Sequence, residues 1–279
     1  MNGATKTADR VPNETSVNPL TIAQRVLLGL FVIAMGFSIA RMFSSIQMPV
    51  SEGIWETIVL LLAVTTTLVS LAGQLPVQNV LLGTVVIGAI GGGIHALGAV
   101  TGLPFGPIIY THDGGPLLFN ALPWFIPFVW IIVILNARGV ARLILRPWRK
   151  LRIYGYWLIG ITTALTLVFV LGFEPFATRL RHYWLWTPTK LPVNWYGTPL
   201  SDFLGWLVAT LLILAFSTPA LMKKKPAKSF PEYHPLVVWV AINLLFIAGA
   251  FSQHLMIPAV ISGIVCVAVI PFAIRGATW

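Results

Sequence analysis

Apolar residues gather in eight stretches, at 22–43, 54–72, 77–100, 117–135, 153–173, 203–221, 236–251 and 255–274, with polar residues between them. Each stretch is about the length a helix needs to cross ~30 Å of hydrocarbon. Inside lipid every backbone N–H and C=O must be satisfied within the segment, and these stretches lack the strict alternation of barrel strands, so the pattern predicts helices. The expected fold is all-α, a polytopic integral-membrane helical bundle of eight transmembrane helices. Seven is the alternative, because only Ser252, Gln253 and His254 separate the last two stretches. Pro123 and Pro127 fall inside the fourth stretch and predict a kink, since each removes an intrahelical bond. Residues 1–21 form a polar tail and 22–279 a single transmembrane domain. The tail has no apolar core of a cleavable leader, so the first span is expected to direct insertion.

Charge adds an orientation. Charged residues are 9% of the chain, against about 25% in soluble domains. The net charge of +10 therefore reads as a topology signal, with no nucleic-acid partner. Arg138, Arg142, Arg146, Arg149, Lys150 and Arg152 lie between two apolar runs, as the positive-inside rule places on the cytoplasmic side. Across the loops, fourteen cations fall on that side and four, Arg41, Arg179, Arg181 and Lys190, on the other. Both termini are expected to be cytoplasmic. Trp148, Trp184, Trp186, Trp195 and Trp279 sit near span ends, as interface anchors do. Cys266 is the single cysteine, which excludes an intramolecular disulfide and a thiolate metal cluster.

The acids are uneven. Glu52, Glu56, Asp113, Glu174 and Asp202 lie at or near the outer ends of spans, with His95, His112, His182 and His254 on the same side. Ionisable groups close to hydrocarbon are costly and default to functional candidates. Gly88, Gly91, His95, Gly98 and Gly102 are spaced three or four apart and share one helix face. That face is either a close packing seam or the floor of an apolar groove holding one imidazole. Two segments are rich in turn residues and aromatics: 101–115, and the long connection 174–202. Asp202 stands where it could cap the sixth helix, and it shares a face with Trp206, four residues on. No metal site is predicted, since the histidines lack ligand spacing. No nucleophile elbow, phosphate loop or dinucleotide fingerprint occurs.

Gly102-Leu-Pro-Phe-Gly106 with Tyr110, the run from Pro116 to Trp130, the pair Glu174-Pro175, and Tyr196-Gly-Thr-Pro-Leu-Ser-Asp-Phe-Leu-Gly-Trp206 together resemble the membrane carotenoid biosynthesis protein family. The resemblance covers about 91–206. It implies an activity of the carotenoid 1,2-hydratases in that family, which add water to the terminal double bond of an acyclic end group. The family tends to carry Glu at the position of His95, Asn at Asp202 and Asp at Glu174, and the first difference removes a carboxylic acid from the glycine-lined face. Hydration of an isolated alkene needs a proton donor, a place for a tertiary cation, and water, and no cofactor. A carboxyl group in an apolar site tends to keep its proton, and aromatic faces stabilise a cation. Asp113, Glu174, Asp202 and His95 are the candidate catalytic residues. Gly91, Gly98, Gly102, Trp124, Tyr196 and Trp206 are the candidate substrate-binding residues. The expected partners are a lipid-dissolved carotenoid or other polyisoprenoid, membrane lipids, and other carotenoid-pathway enzymes. Two readings of other classes stay open: a non-catalytic polyene- or lipid-binding membrane protein, and a small-solute transporter.

Overall fold

The computed structural model describes residues 19–44, 46–47, 50–188, 193–222 and 232–279. They form an all-α polytopic membrane bundle. Eight helices among them are long and apolar enough to cross a membrane: α1 (Pro19–Met42), α2 (Glu52–Ala72), α3 (Val77–Thr101), α4 (Ile126–Ile144), α5 (Tyr154–Pro175), α6 (Leu200–Ser217), α7 (His234–Ser252) and α8 (Met256–Ala277). The last two are separate helices. The chain reverses at Gln253–His254, His254 taking φ 57°, and the Leu255 N–H closes the turn on the Ala250 carbonyl at 2.8 Å. Most of the expected tail lies outside the described residues.

α4 is the axis of the bundle. It packs against α2, α3, α5, α7 and α8, and 78% of its span is buried. Small residues let its neighbours approach, since lipid supplies no hydrophobic force to drive helices together and close packing must do so. A Cβ on Gly276 would collide with the Leu143 carbonyl of α4, and one on Gly139 with the ring of Pro235 in α7.

The fourth span differs from expectation. The run from Pro116 to Trp124 is a hairpin, β2 (Leu117–Leu118) against β3 (Leu122–Pro123), whose loop holds Phe119 and Asn120 at φ 53° and 54°. Hydropathy alone cannot see a turn made inside an apolar run. Pro127 then sits in the first turn of α4, where its missing N–H costs nothing, so it starts the helix and does not kink it. The helix runs on to Ile144, taking Arg138 and Arg142 out of the expected loop.

Two more strand pairs cover the same end of the bundle. β1 (Ile108–Tyr110) pairs antiparallel with β4 (Trp184–Trp186), and β5 (Asn194–Trp195) with β6 (Thr198–Pro199). α5 continues past Pro175 as a π-helical turn, Phe176–Leu180. Pro175 has no N–H to give to the ladder, so the turn widens there. Glu174 is thus helical, and the connection to α6 is correspondingly shorter than 174–202.

Candidate active site

The β1–β4 end of the bundle holds two buried carboxyls. Glu174, in the last turn of α5, is 1% exposed, and Asp202, in the first turn of α6, is also 1% exposed. The two interact electrostatically across the α5–α6 contact. Asp202 lies inside α6 and does not cap it; Pro199 occupies the cap.

Glu174 is held by the strands folded over it. Its Oε2 accepts from the Trp186 indole N–H at 3.1 Å, the Thr198 hydroxyl at 3.2 Å and the Trp184 indole N–H at 3.3 Å. Trp184 and Trp186 are two apart on β4, so they point to the same face. This corrects their expected role as interface anchors. Trp148 and Trp279 stay exposed. Trp195 donates to the Leu171 carbonyl of α5 at 3.0 Å.

Asp202 is treated in the opposite way. Neither of its oxygens has a hydrogen-bond partner among the described residues. The Trp206 indole N–H, four residues on, interacts with the carboxyl at a geometry short of a hydrogen bond. The His95 Nε2, the Tyr110 hydroxyl and the Trp130 indole N–H are likewise buried and unanswered. Native interiors answer nearly all buried polar groups, so such a concentration calls for an explanation by water or a ligand.

These groups belong to one aromatic cluster. His95 stacks on Phe105 at 4.1 Å between centroids and meets Trp206 and Trp130 edge-on at 5.6 and 5.8 Å. Trp130 stacks on Trp206 at 4.1 Å. Tyr110 meets Trp184 edge-on at 6.2 Å. Burial, then the charges of Glu174 and Asp202, push the Tyr110 phenol above its ordinary range. The glycine stripe of α3 serves this cluster: a Cβ on Gly91 would enter the Trp130 ring, and one on Gly98 would come within 2.9 Å of Phe105. Rings therefore fill the face where a groove floor was one reading. Gly102 ends α3 in the left-handed conformation, φ 73°, its N–H on the Gly98 carbonyl.

A separate apolar cavity of about 550 Å³ opens beside the cluster. Phe31, Met35, Ile132, Phe169, Phe173 and Phe246 line its apolar part, and Glu56, Asp113, Trp124, Arg181 and Tyr183 its polar end. Asp113 and Trp124 therefore belong to this cavity and not to the carboxyl pair. Phe173 is the shared wall, since it lines the cavity and meets Trp184 and Trp206 edge-on at 5.5 and 6.3 Å. Arg181 bridges Glu56 at 2.8 Å and Glu52 at 2.9 Å, and Arg41 reaches Glu52 at 3.3 Å. The Tyr183 hydroxyl donates to Glu56 at 2.8 Å. Tyr196 stands apart, half-buried on a turn at φ 54° with its carbonyl accepting from Arg179. Among the described residues no three His, Cys, Asp or Glu side chains converge on a point a metal ion could occupy.

The family described as "Carotenoid biosynthesis protein" has a sequence model that matches residues 55–269. The chain belongs to that family. Its match takes in most of α2, α3 to α7, most of α8, and every residue of the carboxyl pair, the aromatic cluster and the strands that clamp Glu174. The chain is also 29% identical over 126 residues to the bisanhydrobacterioruberin hydratase of Haloarcula japonica. That alignment covers 44% of this chain and 40% of the relative's length. No solved structure matches it significantly. A multi-pass membrane protein of carotenoid biosynthesis needs a site reached from lipid, and the apolar cavity with its neighbouring acids is where such a site would be sought. Sequence reading had Glu174, Asp202, His95 and Trp206 as candidates. It did not single out as candidates Phe105, Trp130, Tyr110, Trp184, Trp186 and Thr198, which the structure gathers around the carboxyl pair. The available signal was Trp184 and Trp186 at strand spacing in a loop that also carries Thr198.

Proposed function

We propose that this chain hydrates the terminal 1,2 double bond of an acyclic carotenoid end group without a cofactor, using the Glu174–Asp202 pair as its acid and base. The observation that carries the reading is Asp202: a buried carboxyl with both oxygens unanswered, beside a second buried carboxyl, within π-faces. Glu174 Oε2 already accepts from three donors, so a proton on Glu174 would sit on Oε1. A carboxyl O–H adds its proton to C2 of the alkene, and the π pair becomes the new C–H bond. The tertiary cation at C1 faces Trp206 and Trp130, whose quadrupoles favour positive charge. Water then bonds to C1 and returns a proton to the carboxylate, so the acid is regenerated and the net addition is one water. The apolar cavity would take the polyene beside the reacting end, with Asp113 and Trp124 at its polar end and the Phe173 ring moving aside. His95, with Nε2 unanswered, is the next residue to test. Gly91, Gly98 and Gly102 act by letting Trp130 and Phe105 close on α3, and Tyr196 by shaping the turn before α6.

Support comes from the family, from the distant hydratase relative and from the chemistry of the residues. The test is expression in a lycopene-accumulating host with analysis of extracted pigment. A product heavier by one water is expected. Unconverted pigment co-purifying with the protein would overturn the enzyme reading in favour of a polyene-binding protein. That second reading has its own observation, the cavity divided from the acids by Phe173. We further place both termini, and with them the 1–21 tail, in the cytoplasm, on the distribution of cations. A reporter fused after Lys228 should read cytoplasmic and one inserted at Lys190 external; the reverse would invert the map.

A further inference from the structure

The other end of the bundle carries a second pocket that the hydration chemistry does not use. It is about 150 Å³ and lies between the ends of α2 and α4 and the beginnings of α5 and α7. Arg138, Arg142, Arg146 and Arg149 line it, with Ser70 and Asn136 at its inner wall. We propose that this pocket binds a phosphate-bearing anion.

Three observations point there. Arg138 is only 6% exposed, so it does not reach outward to water as a topology-setting arginine at a helix end would. It gives one N–H to the Leu221 carbonyl at 3.1 Å, out of five donors on a guanidinium. Second, Arg142 follows one turn later on the same face, a like-charge pair that destabilises a helix unless something answers it. Yet neither of these two, nor Arg149, is ion-paired to a carboxylate among the described residues. Glu232, an acid in the lining, accepts instead from the Gln24 amide at 3.1 Å and the His234 N–H at 3.3 Å. Third, the Ser70 hydroxyl and the Asn136 Oδ1 are buried in the pocket wall with no partner among the described residues. A hydroxyl can donate to a phosphate oxygen, and an amide oxygen can accept from a water or a protonated phosphate. Planar guanidinium forks match phosphate oxygens two at a time, which suits a clustered arginine site better to phosphate than to a single carboxylate.

The phosphate could belong to a lipid headgroup, because the pocket sits at the end of membrane-length helices where basic pockets meet headgroups. It could equally be a soluble phosphate or diphosphate. Purified full-length chain in a neutral maltoside detergent, followed by tryptophan fluorescence during heating, separates the sources. The probes are dioleoylphosphatidylglycerol, dioleoylphosphatidylcholine and inorganic diphosphate. A raised midpoint with phosphatidylglycerol but not phosphatidylcholine or diphosphate assigns a lipid headgroup. A rise with diphosphate assigns a soluble anion. In either case Arg142→Gln with Arg149→Gln should need about ten times more probe for the same rise, as lost charge-assisted hydrogen bonds predict. No shift with either anionic probe overturns the proposal, and so does an unchanged dose response in the double variant. Should the glutamine variant not accumulate, Arg142→Lys with Arg149→Lys keeps the charge and loses the forks. It should weaken the response several-fold, and an unweakened response again overturns the site.

Discussion

The two ends of this bundle handle buried charge in opposite ways. At the β1–β4 end the buried ionisable groups are the carboxyls of Glu174 and Asp202 with the imidazole of His95, and their surroundings are rings. At the other end they are Arg138 and His234, and half-buried Arg142 and Arg146 join Arg138 around a small polar pocket. Acids in a dry aromatic box can move a proton and face a cation, which is what addition of water to an isolated alkene requires. Arginines in a polar pocket hold an anion and move nothing. The difference teaches that the excess of cations over acids is not one property of the chain. On the two proposals above it divides into a chemical end and a holding end, joined by α4, which contributes Trp130 to the first and Arg138 to the second.

The largest expected effect breaks the chemical end. Glu174→Gln and Asp202→Asn keep size and polarity but cannot deliver a proton. Removing a general acid costs about 10²–10⁴ in rate, so at least one of the two should abolish hydrated product in pigment extracts while the protein remains in the membrane fraction. Asp113→Asn, on the exposed turn beside the cavity, should cost far less. If all three amide variants convert substrate at the parent rate, the acid is elsewhere and His95 is tested next. Arg142→Gln, at the other end, should leave conversion intact, and a loss there as deep as at Asp202 would erase the distinction between the ends.

A middle-sized effect tests what joins α3 to the aromatic cluster. Gly91→Leu places a side chain where the Trp130 ring already stands. Overpacking of this kind costs about 1–3 kcal/mol, occasionally more. Lower accumulation and a lower unfolding midpoint in detergent are expected, with conversion per folded molecule reduced as Trp130 is pushed from Trp206. Gly93→Leu, with nothing within 4 Å of its Cβ position, is the control and should behave as the parent. Equal behaviour of the two variants would mean that the stripe does not set the cluster.

Hydropathy made the eight helices legible because length and apolarity are properties of single segments. The ends of the helices were less so. α4 begins nine residues later than its apolar run, since Phe119 and Asn120 turn the chain within it, and no polar residue cluster marks the place. The candidate acids were legible as costly residues near lipid, but their partners were not. Glu174 is held by Trp184, Trp186 and Thr198, ten to twenty-four residues away, through strand pairing that leaves no periodic trace in segments of two or three residues. The α3 stripe showed a face and not its occupant, because Trp130 and Phe105 come from elsewhere in the chain. The cationic run announced an orientation, while the burial of Arg138 depends on α4 sitting at the centre of the bundle, which no local pattern encodes.

The smallest expected effect sharpens the border between the cavity and the carboxyl pair. Tyr183 lines the cavity and packs on Trp184 at 6.1 Å, and its hydroxyl donates to Glu56. Tyr183→Phe keeps the ring, and so keeps the wall beside Phe125 and Trp184. It removes one hydrogen bond to a carboxylate that Arg181 still pairs. A hydrogen bond to a charged group is worth about 1.5–3 kcal/mol when buried, but Glu56 is half-buried and partly screened, which lowers the figure toward about 1 kcal/mol. A small drop in the unfolding midpoint and an unchanged pigment profile are expected. Glu56 would then be a structural acid at the rim of the cavity. A fall in conversion of a hundredfold or more would say the opposite. Proton delivery would then come from the Glu56 side of Phe173, the reacting double bond would lie in the cavity itself, and the buried Glu174–Asp202 pair would be a structural feature of the aromatic cluster.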